Sequence, residues 1–247
     1  MKKIIINRKK YFYYNVDENK ENYTQRNNKY EWGKNNNNAK VKSSTMCNVT
    51  SICMALDYAG YKFPNGEYSQ PEDNLAKHIM ESKLVDEEYK KRYPAMYKSF
   101  KDDEAGCYTP NEVHKLLEIG TNEWIGSKID TFSDSTDIRN IINDIAIRQM
   151  PVVLSGSFLQ TKPDGTKAVF HHIVCLTGVA FTKEYDGKIM PKYYVIDDPW
   201  GYTHNYYLGK SGNDVYLTNE QFMAWMKPIN NNKIKFAHRF EKPVAVV

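Results

Sequence analysis

Between Cys47 and Ile196 the spacing of apolar residues changes from helical to β-rich near Pro151, and that change constrains the fold more than any other feature. Upstream, apolar side chains recur every three to four residues, as amphipathic helices require. Val49, Ile52, Cys53, Leu56 and Ala59 form the clearest such set. Ser43, Ser44 and Thr45 offer N-cap side chains before it, Gly60 offers a stop after it, and Pro64-Asn65-Gly66 is turn chemistry. The spacing therefore predicts a helix over 46–59 with Cys47 in its first turn. Leu75, Ile79 and Met80, then Tyr89, Tyr93, Met96 and Tyr97, carry a charged helical pattern over 72–100 that Pro94 interrupts. Thr109-Pro110-Asn111-Glu112 has the chemistry of a helix start, followed by the apolar face Val113, Leu116 and Leu117. Ser135 or Thr136 opens a further helix that buries Ile138, Ile141, Ile142 and Ile145 and ends at Pro151.

Downstream the runs are short and β-rich. Val152–Leu154, His172–Gly178 and Tyr193–Ile196 read as buried strands, with Asp186-Gly187 as the turn between the last two. Tyr206–Leu208 and Val215–Leu217 extend the same sheet. Thr218 and Gln221 form a capping box ahead of a helix holding Phe222 to Met226. At the N-terminus, Lys3–Asn7 reads as a short strand, Tyr11–Tyr14 as an aromatic cluster, and 26–44 as a polar loop. Helices first and strands afterwards predict an α+β fold built on an antiparallel sheet. No internal repeat is present. The expected organisation is a single domain over 1–247, with 62–130 as a helical insertion or subdomain.

Composition narrows the function. The 247 residues are 41% hydrophobic and 26% charged, ordinary values for a globular protein. No run approaches the roughly 18 apolar residues of a membrane span, so none is expected. A net charge of +4, from 34 basic and 30 acidic residues without a dense Lys/Arg run, argues against a nucleic-acid partner. The opening MKKIIINRKK is too short in apolar residues for a secretory signal. Synthesis in the cytoplasm is expected, with later release or non-classical export still open. The cysteines Cys47, Cys53, Cys107 and Cys175 form no CxxC pair and are too few for a disulfide scaffold, so free thiols are expected.

Cys47 is the sharpest chemical feature. A helix N-terminus stabilises a thiolate through its unpaired amides, and a neighbouring imidazole does more. Taken alone, a cysteine is more often a small buried hydrophobe. Cys53 lies about 240° further round the helix and reads as structural, as does Cys175 in mid-strand. A nucleophile needs a base and a group to orient it. His171 and His172 open an apolar strand on opposite faces, and the next strand ends in Asp197-Asp198-Pro199-Trp200. An acid fixed at a strand end can hold an imidazole in one tautomer. Adjacent pairs that alternate faces are poorly suited to a metal site, and none is expected.

The segment TMCNVTSICMALDYAG resembles the nucleophile helix of papain-like cysteine peptidases, specifically the bacteriocin-processing, double-glycine leader peptidase type and its stand-alone relatives. That family follows its Cys with a Thr-Ser pair and then Met-x-Leu-x-Tyr-x-Gly, matched by Cys47, Thr50, Ser51, Met54, Leu56, Tyr58 and Gly60. Its His precedes a Gly by six residues, as His172 precedes Gly178 and His171 does not. Its Asp stands directly before Pro, which selects Asp198 over Asp197. Its oxyanion-hole Gln lies upstream of the Cys, and Gln25 in TQRNNKYEW fits. Pro151–Leu154 and the pair Phe222 and Trp225 also match. The resemblance runs in pieces over residues 23–226 and departs at Asn48, where the family often has Gly, and over 62–130, which is longer than expected. It implies a papain-like fold and a cofactor-free cysteine peptidase with Cys47, His172, Asp198 and Gln25 as its catalytic set. The implied substrate is a peptide or a peptidoglycan cross-link. Two alternatives stand beside it: an acyl-transferase of the same fold, and a catalytically silent binding module that keeps the fold.

Overall fold

In the computed structural model, the described residues are 2–16, 20, 23–31, 46–94, 114–126, 128, 130–133, 136–161, 164–185, 188–201, 212–226, 233–234 and 237–243. The N-terminal residues form a hairpin of β1 (Lys2–Ile6) and β2 (Lys9–Asn15). Asn7 belongs to its turn rather than to the expected strand. Asn7 and Arg8 both adopt positive φ, 49° and 64°, the pattern of a type I′ hairpin turn.

The predicted nucleophile helix is α1 (Cys47–Tyr58). Every residue from Asn48 to Leu56 is buried, so the helix is sheathed on all sides rather than laid on a surface. Its N-cap position is Met46, without a side-chain cap bond; Ser43, Ser44 and Thr45 lie outside the described residues. The C-terminus is closed by a Schellman motif. The Gly60 N–H donates to Asp57 O and the Tyr61 N–H to Leu56 O, both at 2.9 Å, with Gly60 at φ +89°.

α2 (Pro71–Glu81) packs on α1, and α3 (Lys83–Arg92) and α4 (His114–Ile125) pack on α2 and on each other to complete the same core. The break between α2 and α3 falls at Ser82, well before Pro94. Ser82 Oγ accepts the Val85 N–H at 3.1 Å and so caps α3. The expected start of α4 at Thr109–Glu112 lies outside the described residues. β3 (Asp130–Ser133) and β4 (Thr136–Asp137) follow, then α5 (Ile138–Asn143). Asp137 caps α5, not Thr136: its carboxylate accepts the Arg139 N–H at 2.8 Å; Ser135 lies outside the described residues. α5 runs into one π-helical turn, Asp144–Arg148, which Gln149 closes in a left-handed conformation before Pro151 is reached.

The strands are longer than their apolar runs. β5 spans Val152–Thr161, β6 Lys167–Tyr185 and β7 Lys188–Asp197. His172 therefore sits inside β6 instead of opening it. β6 is the hub. β5 and then β2 occupy successive stretches of one edge, and β7 takes the other, all antiparallel. β8 (Val215–Thr218) extends the sheet from β7, and β10 (Ala237–Phe240) joins β5 to β3. β9 (Lys233–Ile234) pairs with β4 apart from this sheet. The capping box at Thr218 and Gln221 forms as expected, with reciprocal bonds of 2.9 and 3.2 Å. It opens α6 (Asn219–Met226), whose Phe222 ring stacks on Tyr194 at 3.7 Å between centroids.

The sheet is covered on both faces. Val153 and Cys175 share a core with α1–α4, whereas Val152, Leu154, Val174 and Leu176 share one with α5 and α6. This two-sided burial explains why the sequence shows unbroken apolar runs instead of apolar–polar alternation. The result is an α+β fold with α1 packed on an antiparallel sheet.

Candidate active site

Cys47 is the first residue of α1, a free thiol that is partly exposed. Its helix is tied to β6 beside His172, because Ser51 Oγ donates to Ile173 O at 3.1 Å. His172 is buried and interacts with two of the predicted residues. Its Nε2 lies 2.7 Å from Asp198 Oδ1, and the Cys47 side chain is near enough to the ring to favour its charged form. Burial, the largest influence on this imidazole, disfavours its charge. The Asp198 carboxylate and then Cys47 outweigh it and push His172 up to about 10.

Asp198 is itself fixed. It follows β7 directly, its backbone N–H donates to Gly212 O at 2.9 Å, and its Oδ1 accepts the Trp200 N–H at 2.9 Å. The approach of residue 212 is so close that a Cβ there would meet Asp198 O at 2.0 Å; only glycine fits. Asp197 has different partners: Tyr58 Oη donates to it at 2.7 Å and the Asp214 N–H at 2.8 Å. The two adjacent acids thus diverge, one toward His172 and one toward the far end of α1. The His171 side chain lies outside the described residues. Among the described residues, no group of three His, Cys, Asp or Glu side chains could hold a metal ion.

Gln25 is buried at the start of a 3₁₀ turn, Gln25–Asn27. The turn lies along the Asp198 loop. The Gln25 N–H and the Thr24 hydroxyl both donate to Pro199 O, at 3.0 and 3.2 Å, and the Arg26 guanidinium sits 4.8 Å from the Trp200 ring centre. Cys47, His172 and Asp198 are therefore brought together, and Gln25 joins them through the Pro199 backbone. The other described thiols belong to the core. Cys175 is buried, and burial, followed by the charges of Glu72, Asp57 and Asp73, pushes Cys53 well above the usual thiol range. Cys107 lies outside the described residues.

Sequence reading did not single out Gly212, Asn28 or Asp73. Gly212 and Asn28 have no local signature. Asp73 reads as an acid in the first turn of a helix, where the helix dipole alone accounts for it.

An α+β domain that sets a partly exposed cysteine at a helix N-terminus against a buried His–Asp pair falls in the class of papain-like, cysteine-peptidase-type proteins. A family model described as the Peptidase_C39-like family matches residues 18–222. The chain belongs to that family. No curated protein matches it.

Proposed function

We propose that this protein is a cysteine peptidase that cleaves peptide amide bonds through a thioester acyl-enzyme. The observation that carries this reading is the buried His172, bonded to Asp198 at 2.7 Å and raised by both Asp198 and Cys47. An imidazole held charged between a carboxylate and a thiol is the arrangement that supplies a thiolate nucleophile near neutral pH. Cys47 Sγ attacks the scissile carbonyl carbon, and the carbonyl oxygen takes up the displaced electron pair. The Gln25 side-chain amide and the Cys47 backbone N–H stabilise that oxyanion, each donor worth about 2.7–4 kcal/mol. His172 gives its proton to the leaving amine as the C–N bond breaks. Water, deprotonated by His172, then cleaves the thioester and restores the thiol. Asp198 keeps the ring in the tautomer and orientation that both steps require.

The direct test is turnover of linear peptides and of purified peptidoglycan by the unmutated protein and by Cys47→Ala. Hydrolysis that disappears in Cys47→Ala while the circular dichroism spectrum is unchanged is the expected result. Wild-type turnover in the variant would overturn the proposal. Product analysis with added amines separates hydrolysis from transfer to an amine. Among the described residues, no helix is long and apolar enough to cross a membrane.

A further inference from the structure

Asp73 links the helical segment after α1 to the candidate site. It is the third residue of α2 and is fully buried. Its carboxylate accepts backbone hydrogen bonds from the segment that carries Gln25. The Lys29 N–H reaches Oδ2 at 2.9 Å and Oδ1 at 3.0 Å, and the Tyr30 N–H reaches Oδ1 at 3.0 Å. Burying a carboxylate is costly unless it is hydrogen-bonded, and charge-assisted bonds of this kind are among the stronger ones.

Residues 25–30 are pinned at two further points. The Gln25 N–H bonds Pro199 O at 3.0 Å. The Asn28 amide donates to Thr50 Oγ1 at 3.1 Å, and the Thr50 hydroxyl in turn donates to Met46 O at 2.8 Å, in the first turn of α1. Those two anchors come from elements that also carry Asp198 and Cys47. The third comes from α2, which contributes none of the four proposed catalytic residues. An oxyanion donor works only at the right place, and misplacement by about 1 Å can cost on the order of a hundredfold. Without Asp73 the segment keeps its anchors at Gln25 and Asn28 but loses all three bonds at Lys29 and Tyr30, which frees its end farthest from the Asp198 loop.

We propose that Asp73 is a positioning residue for Gln25: by fixing Lys29 and Tyr30 it holds the oxyanion-donor segment against the nucleophile helix. This rests on the peptidase reading above. It gives the 62–130 segment a part in catalysis without contact with the substrate.

The test is a double-mutant cycle of Asp73→Asn and Gln25→Ala, read by single-turnover acylation with p-nitrophenyl acetate. Cys47 Sγ forms the S–C bond, the ester C–O bond breaks, and p-nitrophenolate leaves with the electron pair. Asp73→Asn keeps the size but replaces one acceptor oxygen with an N–H donor facing backbone N–H groups. Alone it should slow acylation by about tenfold or more, whereas in Gln25→Ala its further effect should be within about twofold. Equal losses in both backgrounds would overturn the inference. Alkylation of Cys47 by iodoacetamide builds no oxyanion, so Asp73→Asn should leave its pH profile unchanged. A slowed alkylation would make Asp73 a structural support of the thiol and also overturn it. If the unmutated Cys47 alkylates no faster than an ordinary thiol, the peptidase reading falls and takes this inference with it. Should Asp73→Asn not fold, an amide-to-ester replacement at Tyr30 removes one of the donors and should slow acylation in the same way; unchanged acylation overturns the inference.

Discussion

At the scale of single residues, the proposed mechanism requires His172 to hold a proton that burial would remove. Its affinity is raised from the ordinary 6.5 to about 10: desolvation opposes the charge, but Asp198 and Cys47 outweigh it. A histidine raised in the folded state contributes stability that is complete below about pH 6.5. That contribution is lost as pH rises through about 10. The imidazole NMR signal of His172 should therefore stay in its charged form through pH 8, and Cys47→Ala should lower its midpoint by removing one of the two partners. A midpoint near 6.5 in the unmutated protein would contradict the pairing. Gly212 makes a second residue-scale prediction. A methyl group there would sit 2.0 Å from Asp198 O, so Gly212→Ala should displace Asp198 and lower the catalytic rate more than it raises KM. An unchanged rate would show that Asp198 tolerates the shift.

At the scale of elements, α1 is anchored to the sheet at both ends: Ser51 bonds β6 near its start, and Tyr58 bonds Asp197 at its finish. Tyr58→Phe deprives a fully buried carboxylate of a donor and should cost about 1–3 kcal/mol in urea unfolding; no loss would mean that water or a neighbour replaces the hydroxyl. α1 was legible in the sequence because its apolar spacing and its Gly60 stop agree. The strands were legible only in their centres. β6 extends from Lys167 to Tyr185, far beyond the apolar run His172–Gly178: ladder bonds to β5 carry its first residues and bonds to β2 and β7 its last, where Val179, Ala180 and Phe181 are buried as well. β10 left no signal: Ala237, His238, Arg239 and Phe240 show no clear period, yet three of them are buried. The candidate site divides the same way. Asp198 could be preferred over Asp197 because Pro199 follows it. Gly212 and Asp73 could not be found, since each acts through a backbone contact made only when distant segments meet.

At the scale of the whole molecule, a sheet lies between two helical layers, and one buried acid weakens the assembly as pH rises. Glu72 is 2% exposed. Burial above all, opposed by a backbone hydrogen bond and aided by Asp73, raises it from 4.5 to about 7. In the unfolded chain this acid ionises near 4.5 and in the folded protein only near about 7, so stability is lost as pH climbs from about 4.5 to about 7 and stays lower above that. Glu72→Gln should therefore stabilise the protein at pH 8 by about 1–3 kcal/mol and change little at about pH 4, below both values. A variant less stable at pH 8 would show that the ionised form has a partner.

The central claim is that Cys47 and His172 form a reactive pair. The most direct measurement is the pH dependence of iodoacetamide alkylation at each cysteine of the native protein, read by mass spectrometry, with and without His172→Ala. The account predicts that Cys47 reacts faster than the other cysteines and that His172→Ala abolishes this. A Cys47 whose reactivity rises only through about pH 8.5, equally in both proteins, would contradict it.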